Sequence, residues 1–317
     1  MRLTHAKLLR ARGVDLAFGV DAPGVVVVTG PAVSGKTAVL ESIIAVKEAA
    51  GGYGPAPTVT DYLSPGEPGS IEIGIELDEP EQVSAGAATR KLTPGWDLGV
   101  AGPQALAPAP VRELLRRYHT APSGWKMEYF NAGRQLTDAG SLRWADGTQR
   151  LSKRREKYGW VRQFLVDSSQ ADAASTLTSL REQGIVLGGD GRPRKNSFAE
   201  ALAVLTPRLA WIGSEKAGPE WACLFARAPG RTVELAALSD SEKMCVLVAA
   251  SFDALGLARS LVLIDLPEHG LHPEDQAAFF QGFCALFAEG QVIATTSSPA
   301  ILRSIRREQV VVLGGSR

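Results

Sequence analysis

The sequence predicts an α/β fold with a mainly parallel sheet, an antiparallel β edge and an inserted, mostly helical lobe. Three observations carry this. Short, β-branched apolar runs bounded by turn residues occur at 24–29, 260–265 and 291–296, as expected of strands buried on both faces. Segments of helical length lie between and after them, and strands alternating with helices imply parallel pairing. The runs cluster at both ends of the chain, so the sheet is assembled from the two ends around an inserted middle. The expected division is 1–75 for the first half of the core, 76–227 for the lobe with its β edge and helices, and 228–317 for the second half of the core.

Taken in order, the run at 24–29 follows a Pro-Gly turn and reads as a buried strand. A helix over 37–50 follows a Gly-containing loop and ends at Gly51-Gly52. The stretch from Gly51 to about Ser70 is loop-like, and 70–77 alternate polar and apolar as a half-exposed, antiparallel strand does. Residues 79–110 show no clean period and read as irregular. Helical pieces are expected at 111–118, 158–167 and 197–205, and further helices at 242–257 and 274–288. The run 307–313 closes the sheet.

Composition narrows the class. The 317 residues hold 45% hydrophobic and 21% charged side chains, which is globular. Lys+Arg 34 balances Asp+Glu 34, so no overall charge draws the chain to nucleic acid or to a membrane. Cys223, Cys245 and Cys284 are too scattered for a metal site or a disulfide framework. No apolar run reaches the roughly 20 residues of a membrane span, and no secretory signal opens the sequence. A cytoplasmic protein is the expectation.

Chemistry enters at 30–37. Gly30-Pro31-Ala32-Val33-Ser34-Gly35-Lys36-Thr37 fits G-x-x-x-x-G-K-[ST], with a strand before it and a helix after. In such a P-loop the glycines let the backbone wrap a phosphate, so main-chain N–H groups and the helix N-terminus, through Ala38, face the anion. Lys36 would reach the β- and γ-phosphates of ATP, and the Thr37 hydroxyl would take a Mg²⁺ position. The second metal-side group should end another buried strand, and Asp265 does so. Ser239 and Glu242 form the S-x-x-E of a capping box, Ser239 being the cap.

Four stretches, in order, carry a family likeness: 30–37, 238–243, 261–273 (LVLIDLPEHGLHP) and 294–299 (ATTSSP). With them the chain resembles the ABC-type ATPase heads of the RecF, SMC and OLD-like group, AAA-family ATPases of DNA repair and phage defence, with degenerate catalytic positions. Residues 128–134 sit where related heads carry a loop coupling the nucleotide to the lobe. The resemblance implies ATP and Mg²⁺ as cofactors. It also implies a homodimer, or a pairing with a related ATPase subunit, that shares ATP between the P-loop of one head and Ser239, Ser241 and Glu242 of the other.

Departures from the family pattern bear on catalysis. The water-polarising glutamate that follows the strand aspartate is Leu266 here, which cannot act as a base. Glu268 matches the second acid of the pattern. The γ-phosphate-sensing histidine is Ser297, and the signature glycine is Ser241. Ala32 and Val33 replace the usual Asn-Gly. Two readings stand: a slow ATPase using Glu268 and Ser297, coupled to DNA or a DNA-associated complex, and a non-hydrolysing ATP-binding scaffold that docks a protein partner.

The segment 143–164 is basic, with Arg150, Lys153, Arg154, Arg155 and Lys157 interleaved with Trp144, Tyr158 and Trp160. It could hold a nucleic-acid backbone and stack bases, hold an acidic protein effector, or be a solvated lobe with its aromatics turned inward. His269 and His272, three apart, find no further metal-ligand partner in the sequence.

Overall fold

The computed structural model describes residues 1–12, 14–20, 24–51, 69–97, 104–107, 109–116, 126–136, 155–170, 197–228 and 230–314. Among them the core is a five-stranded parallel sheet in the order β14-β3-β13-β12-β8. Its strands are β3 (Val25–Thr29), β8 (Met127–Phe130), β12 (Leu261–Asp265), β13 (Gln291–Thr295) and β14 (Val310–Val312). The register puts Val28 beside Thr295, and Thr295 beside Asp265, at the C-terminal edge.

The apolar runs follow from two cores. Successive strand side chains point to opposite faces. Val262, Ile264, Val292 and Ala294 enter one hydrophobic cluster with α6 (Asp240–Ala254) and α7 (Pro273–Leu286). Leu261, Leu263, Ile293, Val26 and Val28 enter the other, with α1 (Lys36–Gly51). Every residue of β12 is fully buried. At about 1.5–3 kcal/mol for each buried Val, Leu or Ile side chain, no polar residue is tolerated there except at the strand end, where Asp265 stands.

The second cluster is closed by an antiparallel sheet in the order β2-β1-β4-β6-β7, with β5 also paired to β4. Its strands are β1 (Arg2–Ala11), β2 (Val14–Gly19), β4 (Ser70–Glu76), β5 (Lys91–Leu92), β6 (Gly95–Asp97) and β7 (Gln104–Leu106). This is the antiparallel edge of the expected fold, and it is larger than the sequence suggests. No element was expected over 2–19, and 79–110 was expected to be irregular. Yet that second segment holds α2 (Glu79–Ala85), β5, β6, β7 and the start of α3 (Ala109–Arg116). A capping box between Asp78 and Glu81 starts α2, and Gly86 in the left-handed conformation ends it.

The middle of the chain gives more than a lobe. It supplies β8 to the parallel sheet. It also supplies α4 (Val161–Gln170), α5 (Ser197–Leu205) and two strands, β9 (Leu209–Ala217) and β10 (Glu220–Arg227). These two pair with β11 (Arg231–Glu234) in a three-stranded antiparallel sheet. Trp211 of that sheet meets Phe198 of α5 edge to face and Phe225 of the next strand at a tilt, so the lobe and the α6–α7 face share one core. After α8 (Pro299–Arg303) the chain enters β14. Among the described residues no helix is long and apolar enough to cross a membrane.

Candidate functional site

The loop 30–35 leaves β3 at the C-terminal edge of the sheet and turns into α1 at Lys36. Two glycines make this path possible. A Cβ on Gly30 would lie 2.8 Å from the Leu313 carbonyl oxygen and 2.8 Å from Ser34 Oγ. Gly35 has φ +88°, and a Cβ there would lie 2.4 Å from Val14 Cγ2. The loop tip is exposed at Pro31, Ala32 and Val33, whereas Ala38 is buried beneath it. Val33 has φ +63°, a left-handed conformation that is an outlier for a β-branched residue. Lys36 Nζ donates to the carbonyls of Gly30 (3.0 Å) and Pro31 (2.8 Å), folding back over the loop.

Asp265 ends β12 fully buried. The Thr37 hydroxyl donates to both of its carboxylate oxygens, at 3.1 and 2.9 Å. Thr295, at the end of β13, donates its hydroxyl to Asp265 Oδ1. Two groups 228 residues apart thus meet at one point, because β3 and β12 flank β13 in the sheet.

Beyond Asp265 the chain turns sharply. Leu266 is half-buried with φ +47°. Its N–H donates to the Thr295 carbonyl (3.2 Å) and hydroxyl (3.1 Å). Glu268 Oε1 accepts from the N–H of exposed Ser297 at 2.7 Å. Glu268 Oε2 is buried and, among the described residues, has no hydrogen-bond partner. Proline at 267 therefore does not keep Glu268 from the region of 295–297.

The Ser239 capping box forms as the sequence predicts. Glu242 N–H donates to Ser239 Oγ (3.3 Å), and Ser239 N–H donates to Glu242 Oε2 (2.8 Å). Ser241 Oγ lies 3.1 Å from Ser239 Oγ. Arg227, from β10, pairs in a bidentate fork with Glu242 at 2.8 and 2.6 Å. Burial alone would raise the Glu242 carboxyl, but Arg227 and Ser239 outweigh it and hold it below its ordinary value.

Comparison with known proteins places this geometry. The family model described as "AAA domain, putative AbiEii toxin, Type IV TA system" matches residues 112–303, more than half of the chain. The chain belongs to this AAA-domain family. The match takes in Ser239, Asp265, Glu268 and Ser297, while the P-loop lies before it. No curated protein matches the sequence. Among solved structures the fold is similar to an SMC head bound to the C-terminal winged-helix domain of ScpA (TM-score 0.60, 13% identity, 98% of this chain and 96% of that chain). It is also similar to the SMC head domain from Thermotoga maritima (TM-score 0.52, 16% identity, 96% and 92%). A third is the Smc head with an extended coiled coil, bound to the C-terminal domain of ScpA derived from Pyrococcus furiosus (TM-score 0.55, 13% identity, 98% and 92%). At these identities the likeness shows the fold alone, the one these SMC head domains share.

In this AAA domain the expected basic patch needs correction. Lys157 is not a surface group: it is buried, with Nζ donating to buried Glu128 and, at 2.6 Å, to the Tyr129 carbonyl. Tyr158 and Trp160 lie in the core cluster, so they stack no bases. Arg150, Lys153 and Arg154 lie outside the described residues, as does the side chain of Arg155. His269 and His272 are exposed, and His272 caps α7 through Glu274 N–H. Among the described residues no group of three His, Cys, Asp or Glu side chains could hold a metal ion.

Sequence reasoning missed Thr295, Arg227 and Arg134. Thr295 and Arg134 belong to the segments 294–299 and 128–134, but their partners are distant in sequence and visible only in the fold.

Proposed function

We propose that this AAA domain binds ATP with Mg²⁺ and pairs head to head through it, hydrolysing it slowly. The observation that carries the reading is the contact of Thr37 with Asp265 beneath the glycine-lined loop. Ser34 Oγ, buried there without a hydrogen-bond partner among the described residues, is a donor suited to a phosphate oxygen. The first N–H groups of α1 have no intrahelical partners and favour an anion. Lys36, now on neutral carbonyls, would exchange them for charged phosphate oxygens. Thr37 and Asp265 are hard oxygen donors, and so small a set suits Mg²⁺, which keeps water and phosphate ligands. Bound there, Mg²⁺ would neutralise developing phosphate charge.

In this reading Ser239, Ser241 and the N-terminus of α6 meet the γ-phosphate held by the partner head. Arg227 neutralises the Glu242 carboxylate, which sits on the Ser239 N–H at that helix end, and so lowers its repulsion of the anion. Glu268 takes the proton of the attacking water, and Ser297, which cannot carry charge, orients the γ-phosphate weakly. The ATPase would work on DNA or a DNA-associated complex in repair or phage defence, with Arg150, Lys153, Arg154 and Arg155 as the effector contact.

Leu266 favours the second reading, a scaffold that binds ATP without turnover and docks a protein partner, as the SMC heads named above are bound by ScpA domains. Phosphate release with and without DNA separates the two. Turnover lost in Glu268→Gln supports the ATPase. MgATP binding with no turnover under any condition supports the scaffold. ATP-dependent dimerisation lost in Ser239→Arg tests the shared site, and Arg154→Glu with Arg155→Glu tests the effector contact.

A further inference from the structure

Arg134 is a buried cation whose hydrogen-bond partners among the described residues include no carboxylate. Its Nη1 donates to the carbonyls of Asn131 (2.9 Å) and Asp265 (2.7 Å). Its Nη2 donates to the Leu266 carbonyl (3.0 Å) and contacts Met244 Sδ (3.2 Å). Burial pushes the guanidinium below its ordinary value, although Tyr158, Asp265 and Glu268 act against this. A buried charge is costly unless its hydrogen bonds compensate it.

What it fixes is the turn after β12. The carbonyls of Asp265 and Leu266 belong to the two peptide planes that flank the Leu266 Cα. One planar guanidinium holds both, so φ and ψ of Leu266 are set together. Leucine resists the left-handed region, yet Leu266 sits at φ +47°. The following residue is Pro267, which has no N–H to anchor that second plane. The Leu266 carbonyl also accepts from His269 N–H at 3.0 Å, and Leu266 N–H donates to Thr295, but each of these bonds holds one plane and neither ties the two together. The same arginine touches α6 through Met244, on the helix that Ser239 caps.

We infer that Arg134 is a positioning residue: by clamping the Asp265 and Leu266 carbonyls in a left-handed turn, it keeps the Asp265 carboxylate on Thr37 and so sets the magnesium dependence of ATP binding. This rests on the proposed MgATP site. Without the clamp the leucine relaxes out of the left-handed region and carries the aspartate off the P-loop. With glycine at 266 the turn is free of that penalty and holds without the clamp.

The test is the ratio of ATP affinity with Mg²⁺ to that with EDTA, by calorimetry on the full chain, alongside thermal unfolding. The expected result is a ratio at least tenfold lower in Arg134→Lys than in the unsubstituted protein, with ATP affinity in EDTA unchanged. Adding Leu266→Gly should restore the ratio. A ratio in Arg134→Lys equal to that of the unsubstituted protein overturns the inference, as does failure of Leu266→Gly to restore it. If Arg134→Lys does not fold, the double variant is read alone. Folding with the ratio retained supports the clamp, and misfolding overturns it, because Arg134 would then hold more than the turn. Absence of ATP binding by the unsubstituted protein refutes the underlying site instead, which keeps the two failures apart.

Discussion

Leu266→Glu puts a carboxylate back where related heads carry the water-polarising group. The backbone is ready for it: Leu266 N–H is held by Thr295, and the flanking carbonyls are held by Arg134 at 2.7 and 3.0 Å. A glutamate would therefore leave the chain from the same point and in the same direction as the leucine. Leu266 is only half-buried, so losing its apolar contacts costs about 1 kcal/mol, half the value for full burial. A positioned general base contributes about 10²–10⁴-fold. The expected result is a phosphate-release rate about 10²-fold or more above that of the unsubstituted protein, with MgATP affinity and unfolding temperature little changed. Glu268→Gln in the Leu266→Glu background should then cost little, because the new carboxylate takes over its work. A variant that folds, binds MgATP and turns over no faster would refute the idea that Leu266 is what limits hydrolysis.

Two further expectations concern stability and reactivity. Val33 sits fully exposed at φ +63°, so Val33→Gly relieves left-handed strain of about 1–2 kcal/mol and loses about 0.4–1 kcal/mol through the freer unfolded chain. The net gain should raise the unfolding temperature by about 1–2 °C per kcal/mol, and calorimetry showing a fall would contradict the assigned backbone. Burial pushes the thiols of Cys245 and Cys284 up to about 12. At pH 8 about one in 10⁴ of each is thiolate, so iodoacetamide should modify them only after unfolding. Because the folded values lie above the ordinary thiol value, these groups leave stability unchanged below about pH 8.5 and lower it as pH rises towards 12, where only the unfolded thiols ionise. Denaturant titrations flat between pH 8 and 11 would count against it.

How much of this the sequence disclosed depends on what hides each element. Strands β3, β12 and β13 face two cores, so their letters are apolar throughout and β-branched, and they are legible. The capping box at Ser239 is a local pattern and is equally so. β1 is not, because Arg2, His5, Lys7 and Arg10 interrupt it and its register shifts against both neighbours. β8 has four residues, one of them Glu128, whose charge is answered 29 residues later by Lys157. Read locally, that lysine belongs to a basic run on the surface; only the fold shows it inside. The site divides in the same way. The P-loop and Asp265 carry their chemistry in short spacing and strand context. The hydrogen bonds of Arg134 go mainly to main-chain oxygens, which have no letter in a sequence.

The central claim is a MgATP site made by the loop 30–37 together with Asp265. Calorimetric titration of the purified chain with ATP in magnesium, repeated on Lys36→Ala, tests it most directly. Saturable binding that weakens about 100-fold or more in the variant is the predicted result. Equal affinity in the two proteins would contradict it.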